Sequence, residues 1–313
     1  MVQPILTLTV NPALDVSTST ERVMSEHKMR CGASRLDPGG GGVNVARVVQ
    51  RLGGRAQAIY TAGGPTGQAY RHLIEAEHVS TLVVPIQGST RESFTVDETG
   101  TGNQFRFVLQ GPELSEPEWR ACLALVAEAM PAGGYVVASG SLPPGVPDDF
   151  YARVARIARE HGTRCIIDAS GPALAAALAE GVFLVKPSRS ELAAHVGSAL
   201  DTEQSQVDAV AALVAEGAAE FVALTLGEAG AVLASAAGVI RLPVPQVTVL
   251  SAVGAGDSFL GAFVLRMAQG LDARAAFRAA VAAGSATAMT PATELCRRVD
   301  MERLEAQLAA LPD

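Results

Sequence analysis

Lysine is almost missing from this chain: of its 24 basic residues 22 are arginine, and only Lys28 and Lys186 break the pattern. A basic surface is lacking too. With 32 acidic residues the net charge is −8 and the pI near 5.2, which excludes nucleic acid and anionic membrane as natural partners and leaves small molecules. The four cysteines, Cys31, Cys122, Cys165 and Cys296, form no C-x-x-C pair, so neither a zinc knuckle nor a redox dithiol is present. They read as reduced, mostly buried thiols. His27, His72, His78, His161 and His195 lack metal-ligand spacing. The start of the chain has no basic segment or cleavage site, and the most apolar window, 221–240, is cut by Gly227, Glu228, Gly230 and Gly238. It suits two or three buried strands and not a membrane span, so a cytoplasmic protein is expected.

What remains is an ordinary globular composition, 49% hydrophobic and 18% charged, in a chain of 313 residues. From residue 43 onward the hydrophobic period switches repeatedly between helix and strand. Helices are expected at 43–52, 115–129, 148–160, 172–179, 203–216, 257–269, 272–289 and 300–310, with strands at 5–10, 135–138, 164–168, 182–185, 221–226 and 247–250. Such alternation means βαβ units and a doubly wound, mostly parallel sheet with helices on both faces. Two polar alternating patches, 15–36 and 92–108, interrupt it, the second with a turn at 98–103. They suit strands solvated on one face, joined in a small β-sheet that lids the carboxyl ends of the main strands. No linker or repeat divides the chain, so residues 1–313 are expected to form a single domain.

Three segments carry chemistry. Val253-Gly254-Ala255-Gly256-Asp257 lies between the apolar stretch 247–250 and a helix. Two glycines around a small residue let amides converge at the positive end of a helix dipole, and an aspartate just inside stands where a base would meet an attacking hydroxyl. A plain helix cap reads equally well in isolation. Pro38-Gly39-Gly40-Gly41-Gly42-Val43-Asn44 brings backbone close to a ligand and offers Asn44 to sugar hydroxyls. It fails the dinucleotide fingerprint in both registers, since Asn44 or Val45 takes the place of the third glycine. Lys186-Pro187-Ser188-Arg189-Ser190-Glu191 ends a buried strand with a cation able to reach nucleotide phosphates. Its Glu191 can order metal-bound water, although Ser188 and Glu191 also satisfy a capping box.

Together with Thr9-Val10-Asn11-Pro12-Ala13-Leu14-Asp15, Ser139-Gly140-Ser141-Leu142-Pro143-Pro144-Gly145 and Thr225-Leu226-Gly227, these segments resemble the ribokinase-like (phosphofructokinase B) carbohydrate kinases over nearly the whole length. Within that family they look most like hexose-phosphate kinases. The resemblance implies Asp257 as catalytic base, with the amides at Gly254, Ala255 and Gly256 holding the transferred phosphoryl group. It implies Asp15, Gly40, Gly41 and Asn44 on sugar hydroxyls, and Arg91 and Ser141 on the sugar's own phosphate. Lys28 and Arg30 would reach across from a partner's lid, so a homodimer through the β-lid is expected. Lys186, Ser188, Glu191, Thr225, Gly227 and Gly230 fall on the side of ATP, with Mg²⁺ approached by Glu191 through water. Some relatives add a monovalent cation, K⁺, behind the anion hole.

The sequence departs from the family pattern at Ser188, where Asn is usual, and at Ala252, where Thr is frequent. The uninterrupted glycine run after Lys28-Met29-Arg30-Cys31 is similar to the minor, ATP-dependent bacterial 6-phosphofructokinases of this family, which implies fructose 6-phosphate as acceptor. Fructose 1-phosphate and tagatose 6-phosphate kinases stay open as alternatives. A non-catalytic sugar-phosphate sensor draws on Ser188 alone, and a nicotinamide oxidoreductase is opposed by the failed glycine registers.

Overall fold

The computed structural model describes residues 2–310. Strands β1 (Ile5–Thr9), β2 (Ala13–Thr20) and β3 (Arg35–Gly39) precede helix α1 (Gly41–Arg51), β4 (Gln57–Ala62), α2 (Gly64–Ala76), β5 (Ser80–Pro85), β6 (Arg91–Glu98) and β7 (Asn103–Val108). Then follow α3 (Glu116–Ala129), β8 (Tyr135–Ser139), α4 (Phe150–Glu160), β9 (Arg164–Asp168), α5 (Gly171–Glu180), β10 (Val182–Val185) and α6 (Arg189–Val196). The chain ends with α7 (Glu203–Ala215), β11 (Ala219–Thr225), β12 (Ala231–Ser235), β13 (Gly238–Leu242), α8 (Ala255–Ala268), α9 (Ala273–Ala288) and α10 (Arg298–Ala309).

Nine strands form the main sheet in the order β13-β12-β11-β10-β9-β8-β1-β4-β5, parallel except where β12 and β13 turn back as a hairpin. Alternate residues of each strand enter separate cores: Tyr135 and Val137 pack with α1, α8 and α9 on one face, and Val136 and Ala138 with α3 and α4 on the other. This period of two, buried on both sides, is why the strands read as continuous apolar runs. Chain order runs outward in both directions from the β1/β8 pair. The carboxyl ends of those two strands are therefore the topological switch point, where a crevice opens.

The second sheet, β3-β2-β6-β7, pairs the two polar insertions through parallel β2 and β6. Its polarity is reversed from the simple expectation of a solvated polar face. Asp15, Ser93, Thr95 and Arg106 turn toward the crevice, whereas Leu36, Val16, Phe94 and Phe107 form the alternate cross-strand row, in which Leu36 is 44% and Phe107 51% exposed while Phe94 also borders the cavity. The polar face is the working face, and the apolar one looks outward.

The expected strand at 247–250 is absent. Pro243 and Pro245 remove amide donors just before it, Val249 and Leu250 are 64% and 58% exposed, and the segment's backbone reaches only the Ala288 carbonyl, from Leu250 at 2.8 Å and Ser251 at 3.4 Å. An apolar run without a neighbouring strand edge stays irregular. No helix among the described residues is long and apolar enough to cross a membrane.

Candidate active site

The glycine run sits where three strands crowd one helix start. A side chain at Gly40, whose φ is +117°, would come within 2.7 Å of Thr9 Cγ2, and one at Gly41 within 2.0 Å of Ser139 Oγ. The run therefore lets α1 begin inside the crevice, pinned by the Val43 amide donating to Thr9 Oγ1 at 2.8 Å. Gly40 lines the cavity beside Asp15 and Asn44, whereas the open side of Gly41 is filled by Ser139. Helix α1 is buried from Gly42 to Val49, polar Asn44 included.

Across the crevice Gly254, in the left-handed region at φ 76°, caps α8. The Ala255 amide closes a turn on the Ala252 carbonyl at 3.3 Å, so the free donors of the first turn are those of Gly256 and Asp257. That narrows the expectation that the Ala255 amide serves an anion. Ser251 supplies what Ala252 lacks: its buried hydroxyl accepts from the Val253 amide at 3.3 Å. The same hydroxyl accepts from Gln104 of β7 at 3.3 Å, which ties the small sheet to the turn.

Asp257 points into the space between. Burial, aided by the negative charge of Asp168, pushes its carboxyl up to about 7, against the Asn44 hydrogen bond and the charge of Lys186, which lower it. Asn44 Nδ2 donates to Asp257 Oδ2 at 2.8 Å. Asp15 is driven to about 6, chiefly by burial and then by Asp37. A carboxylate near neutrality in a covered crevice is matched to taking a proton from a hydroxyl.

Lys186 is 6% exposed and holds Asp168 Oδ1 at 3.1 Å, with its head against Gly256. Burial works to lower its pKa, but the Asp168 charge and hydrogen bond, with Asp257 and Glu191 behind, leave it raised. Asp168 escapes the sequence reading. Its signal lies in the strand register, where Ile167 pairs with Val185 and so sets Asp168 and Lys186 side by side at the ends of β9 and β10. Arg106 escapes as well, because β7 reads as solvated; it lines the cavity and lowers Asp15.

Two cavities flank this turn. The smaller, about 170 Å³, lies under the small sheet and is bordered by Asp15, Asn44, Arg91, Arg106, Gly254 and Asp257. The larger, about 970 Å³, is bordered by Thr225, Gly227, Gly230, Ala255 and Gly256, with Val247 and Phe259 among its apolar walls. Arg91 is held on the carbonyls of Leu109 and Asn11, each at 3.0 Å, and Ser141 accepts from Asn11 Nδ2 at 3.1 Å. Ser188 and Glu191 do make the capping box. The Ser188 amide and hydroxyl reach Glu191 Oε2 at 2.7 and 2.8 Å, leaving Oε1 outside the cap. Lys28 and Arg30 are exposed between β2 and β3 and border neither cavity. Among the described residues no cluster of three His, Cys, Asp or Glu side chains could hold a metal directly.

A doubly wound sheet with a glycine turn at a helix N-terminus shared by two cavities, one of them lidded and lined by both aspartates and arginines, is the architecture of a small-molecule kinase. The chain belongs to the pfkB family of carbohydrate kinases, whose model matches residues 10–298. It is an ATP-using family. The chain is 47% identical over 308 residues to the ATP-dependent 6-phosphofructokinase isozyme 2 of Mycobacterium tuberculosis, covering 98% of this chain and 90% of that one. The crystal structure of phosphofructokinase-2 from Escherichia coli with fructose-6-phosphate superposes with a TM-score of 0.93 at 40% identity, covering 99% and 100% of the two chains. The same protein has been solved with potassium (TM-score 0.94) and in a tetrameric inhibited form. A 1-phosphofructokinase of Bacillus subtilis is 31% identical over 286 residues, covering 91% and 93%.

Proposed function

We propose that this chain transfers the γ-phosphoryl group of ATP to fructose 6-phosphate, giving fructose 1,6-bisphosphate and ADP. The observation that carries the reading is the shared turn: Gly254 and Asp257 face the small lidded cavity while Ala255 and Gly256 face the large one. An acceptor hydroxyl and a γ-phosphate placed there meet at the same few atoms. Asp257 takes the hydroxyl proton, the sugar oxygen bonds to the γ-phosphorus, and the bond from that phosphorus to the β-bridging oxygen breaks in line. The amides of Gly256 and Asp257, on the N-terminal turn of α8, receive the charge that builds on the phosphoryl oxygens. Asp15 and Asn44 orient the sugar, and Arg91 with Arg106 meets its phosphate. Lys186 neutralises the donor phosphates.

With no direct ligand cluster, Mg²⁺ would be held mainly by the nucleotide and water, within reach of Glu191 Oε1, and would supply charge neutralisation on the phosphates. For a monovalent cation, the carboxyl end of α9, which packs against residues 250–251, offers the negative end of a dipole. Replacing K⁺ by tetramethylammonium tests that element. The outward apolar row of the small sheet fits a second copy of this chain, which would bring Lys28 and Arg30 to the neighbouring sugar phosphate. Phe107→Glu should then release monomers in sedimentation and raise the KM for the sugar phosphate.

The identity gap between the 6-phosphofructokinases and the 1-phosphofructokinase favours fructose 6-phosphate as acceptor. The deciding measurement is kcat/KM for fructose 6-phosphate, fructose 1-phosphate and tagatose 6-phosphate with saturating ATP. A preference for either of the last two reassigns the acceptor. Tight binding without ADP release leaves only a sensor.

A further inference from the structure

Arg47 is 1% exposed, the largest fully buried side chain of the described residues, and no step above uses it. It stands one helical turn beyond Asn44 on α1, and its donors are distributed over three elements. Nη1 donates to Asn44 Oδ1 at 2.9 Å and to the Pro38 carbonyl at 2.8 Å. Nε donates to Glu77 Oε2 at 3.0 Å, with Nη2 on Oε1 of the same carboxylate, just after α2. A guanidinium is expensive to bury, and an apolar side chain of similar volume would pack α1 against its neighbours as well.

We infer that Arg47 is a positioning residue for the base: by holding the side-chain oxygen of Asn44, it obliges the amide NH₂ group to face Asp257. Guanidinium has donors only, so the side of Asn44 toward Arg47 must be Oδ1. The other side is then Nδ2, which lies 2.8 Å from Asp257 Oδ2. Without that constraint the amide is free to rotate by half a turn. Oδ1 would then oppose the carboxylate unless Asp257 held a proton, and the base would be occupied where it should be free. The inference rests on Asp257 acting as the base. The other groups facing Asp257 are Asp168 at the end of β9, Lys186 just after β10 and Asp15 from β2; of these Asp15 is itself lowered by the charge of Arg47, which Arg47→Lys keeps.

The test is kcat against pH at saturating substrates for Arg47→Gln and Arg47→Lys. Glutamine both donates and accepts, so it no longer dictates the rotamer of Asn44; the ammonium only donates and still does. Arg47→Gln should move the acid limb of kcat upward by about one pH unit, with kcat returning to within about threefold of the parent above that limb. Arg47→Lys should leave the limb where it is. A purely structural role would lower kcat at every pH and the melting temperature in both variants, with no displaced limb, and that result overturns the inference. So does an equal displacement in both. If neither variant folds, the parent enzyme carries the test through asparagine-selective ¹⁵N labelling, with the Asn44 signal assigned by its loss in Asn44→Ser. The Asn44 NH₂ resonance should titrate with the midpoint of the kcat limb, and a resonance that stays flat through it refutes the assignment. Turnover that survives in Asp257→Asn instead overturns the base reading, and the inference with it.

Discussion

Asp257→Asn should destroy turnover and stabilise the protein at pH 8. The carboxyl is half-buried at the cavity wall, and burial is the main cause that carries it from 3.8 to about 7. The sign follows from linkage. Between pH 4 and 7 the folded state binds a proton at this site that the unfolded state has released, so the proton's contribution to stability is complete below pH 4 and lost as pH rises through 7. At pH 8 the folded chain holds a buried charge that the unfolded chain carries freely in water. At about 1.4 kcal/mol for each pH unit the penalty has a ceiling of about 4 kcal/mol. The amide removes the charge and offsets part of the gain: Asn44 Nδ2 still finds an oxygen, but Lys186 loses a negative neighbour. A gain of about 2 kcal/mol, or about 4 °C in melting temperature, is expected at pH 8, and none at pH 4. Loss of a general base and of its charge should lower kcat by about 10³-fold. Scanning fluorimetry at both pH values, together with a coupled ADP assay, reads both effects. A melting temperature at pH 8 that falls, or a kcat within tenfold of the parent, refutes the argument.

Two further substitutions probe the neighbours of that carboxyl. Asp168→Asn removes the charge that raises Asp257 and holds Lys186, so the acid limb of kcat should move down by about one pH unit while the broken buried pair costs about 3 kcal/mol; an unmoved limb would remove Asp168 from the electrostatics of the base. Lys186→Arg should lower kcat/KM for ATP by about 10²-fold, because a planar fork does not fit a pocket where Nζ already lies 3.2 Å from the place of a side chain on Gly256; parent-like kinetics with ATP would show that any buried cation serves.

The parts of the site that sequence makes legible are those with a local signature. The glycine run and the Gly-Ala-Gly-Asp turn announce themselves because the φ of +117° at Gly40 and +76° at Gly254 strongly favour glycine. The β/α alternation announces the main sheet because buried parallel strands are apolar on both faces. Asp168 has no such mark. It is an acidic residue after an ordinary apolar strand, and only its register beside β10 makes it the counter-ion of Lys186. Arg106 and Gln104 are hidden by a period-two pattern that reveals which residues share a face and not which face meets water. Residues 247–250 mislead in the opposite sense, because apolar composition can describe a cavity wall as readily as a strand: Val247 and Val249 border the large cavity.

The scarcity of lysine acquires a physical meaning only at one of its two positions. Lys28 is an exposed cation in a loop, where arginine would do equally well within this chain. Lys186 is enclosed, and its surroundings contain Asp168 and Asp257, with Asp15 also acting on Asp257. One compact positive charge among acids cannot neutralise them all, so the carboxyl that lacks an ion pair is the one whose proton is held most strongly. Asp168 takes the lysine at 3.1 Å, and Asp257 receives only the neutral amide of Asn44. That unequal division separates the roles of two buried aspartates within reach of the same cation. Asp168 anchors the lysine, and Asp257, pushed up to about 7, is left for the proton transfer of the proposed mechanism. A second lysine in this crevice would pair with Asp257, lower its pKa and weaken it as a proton acceptor.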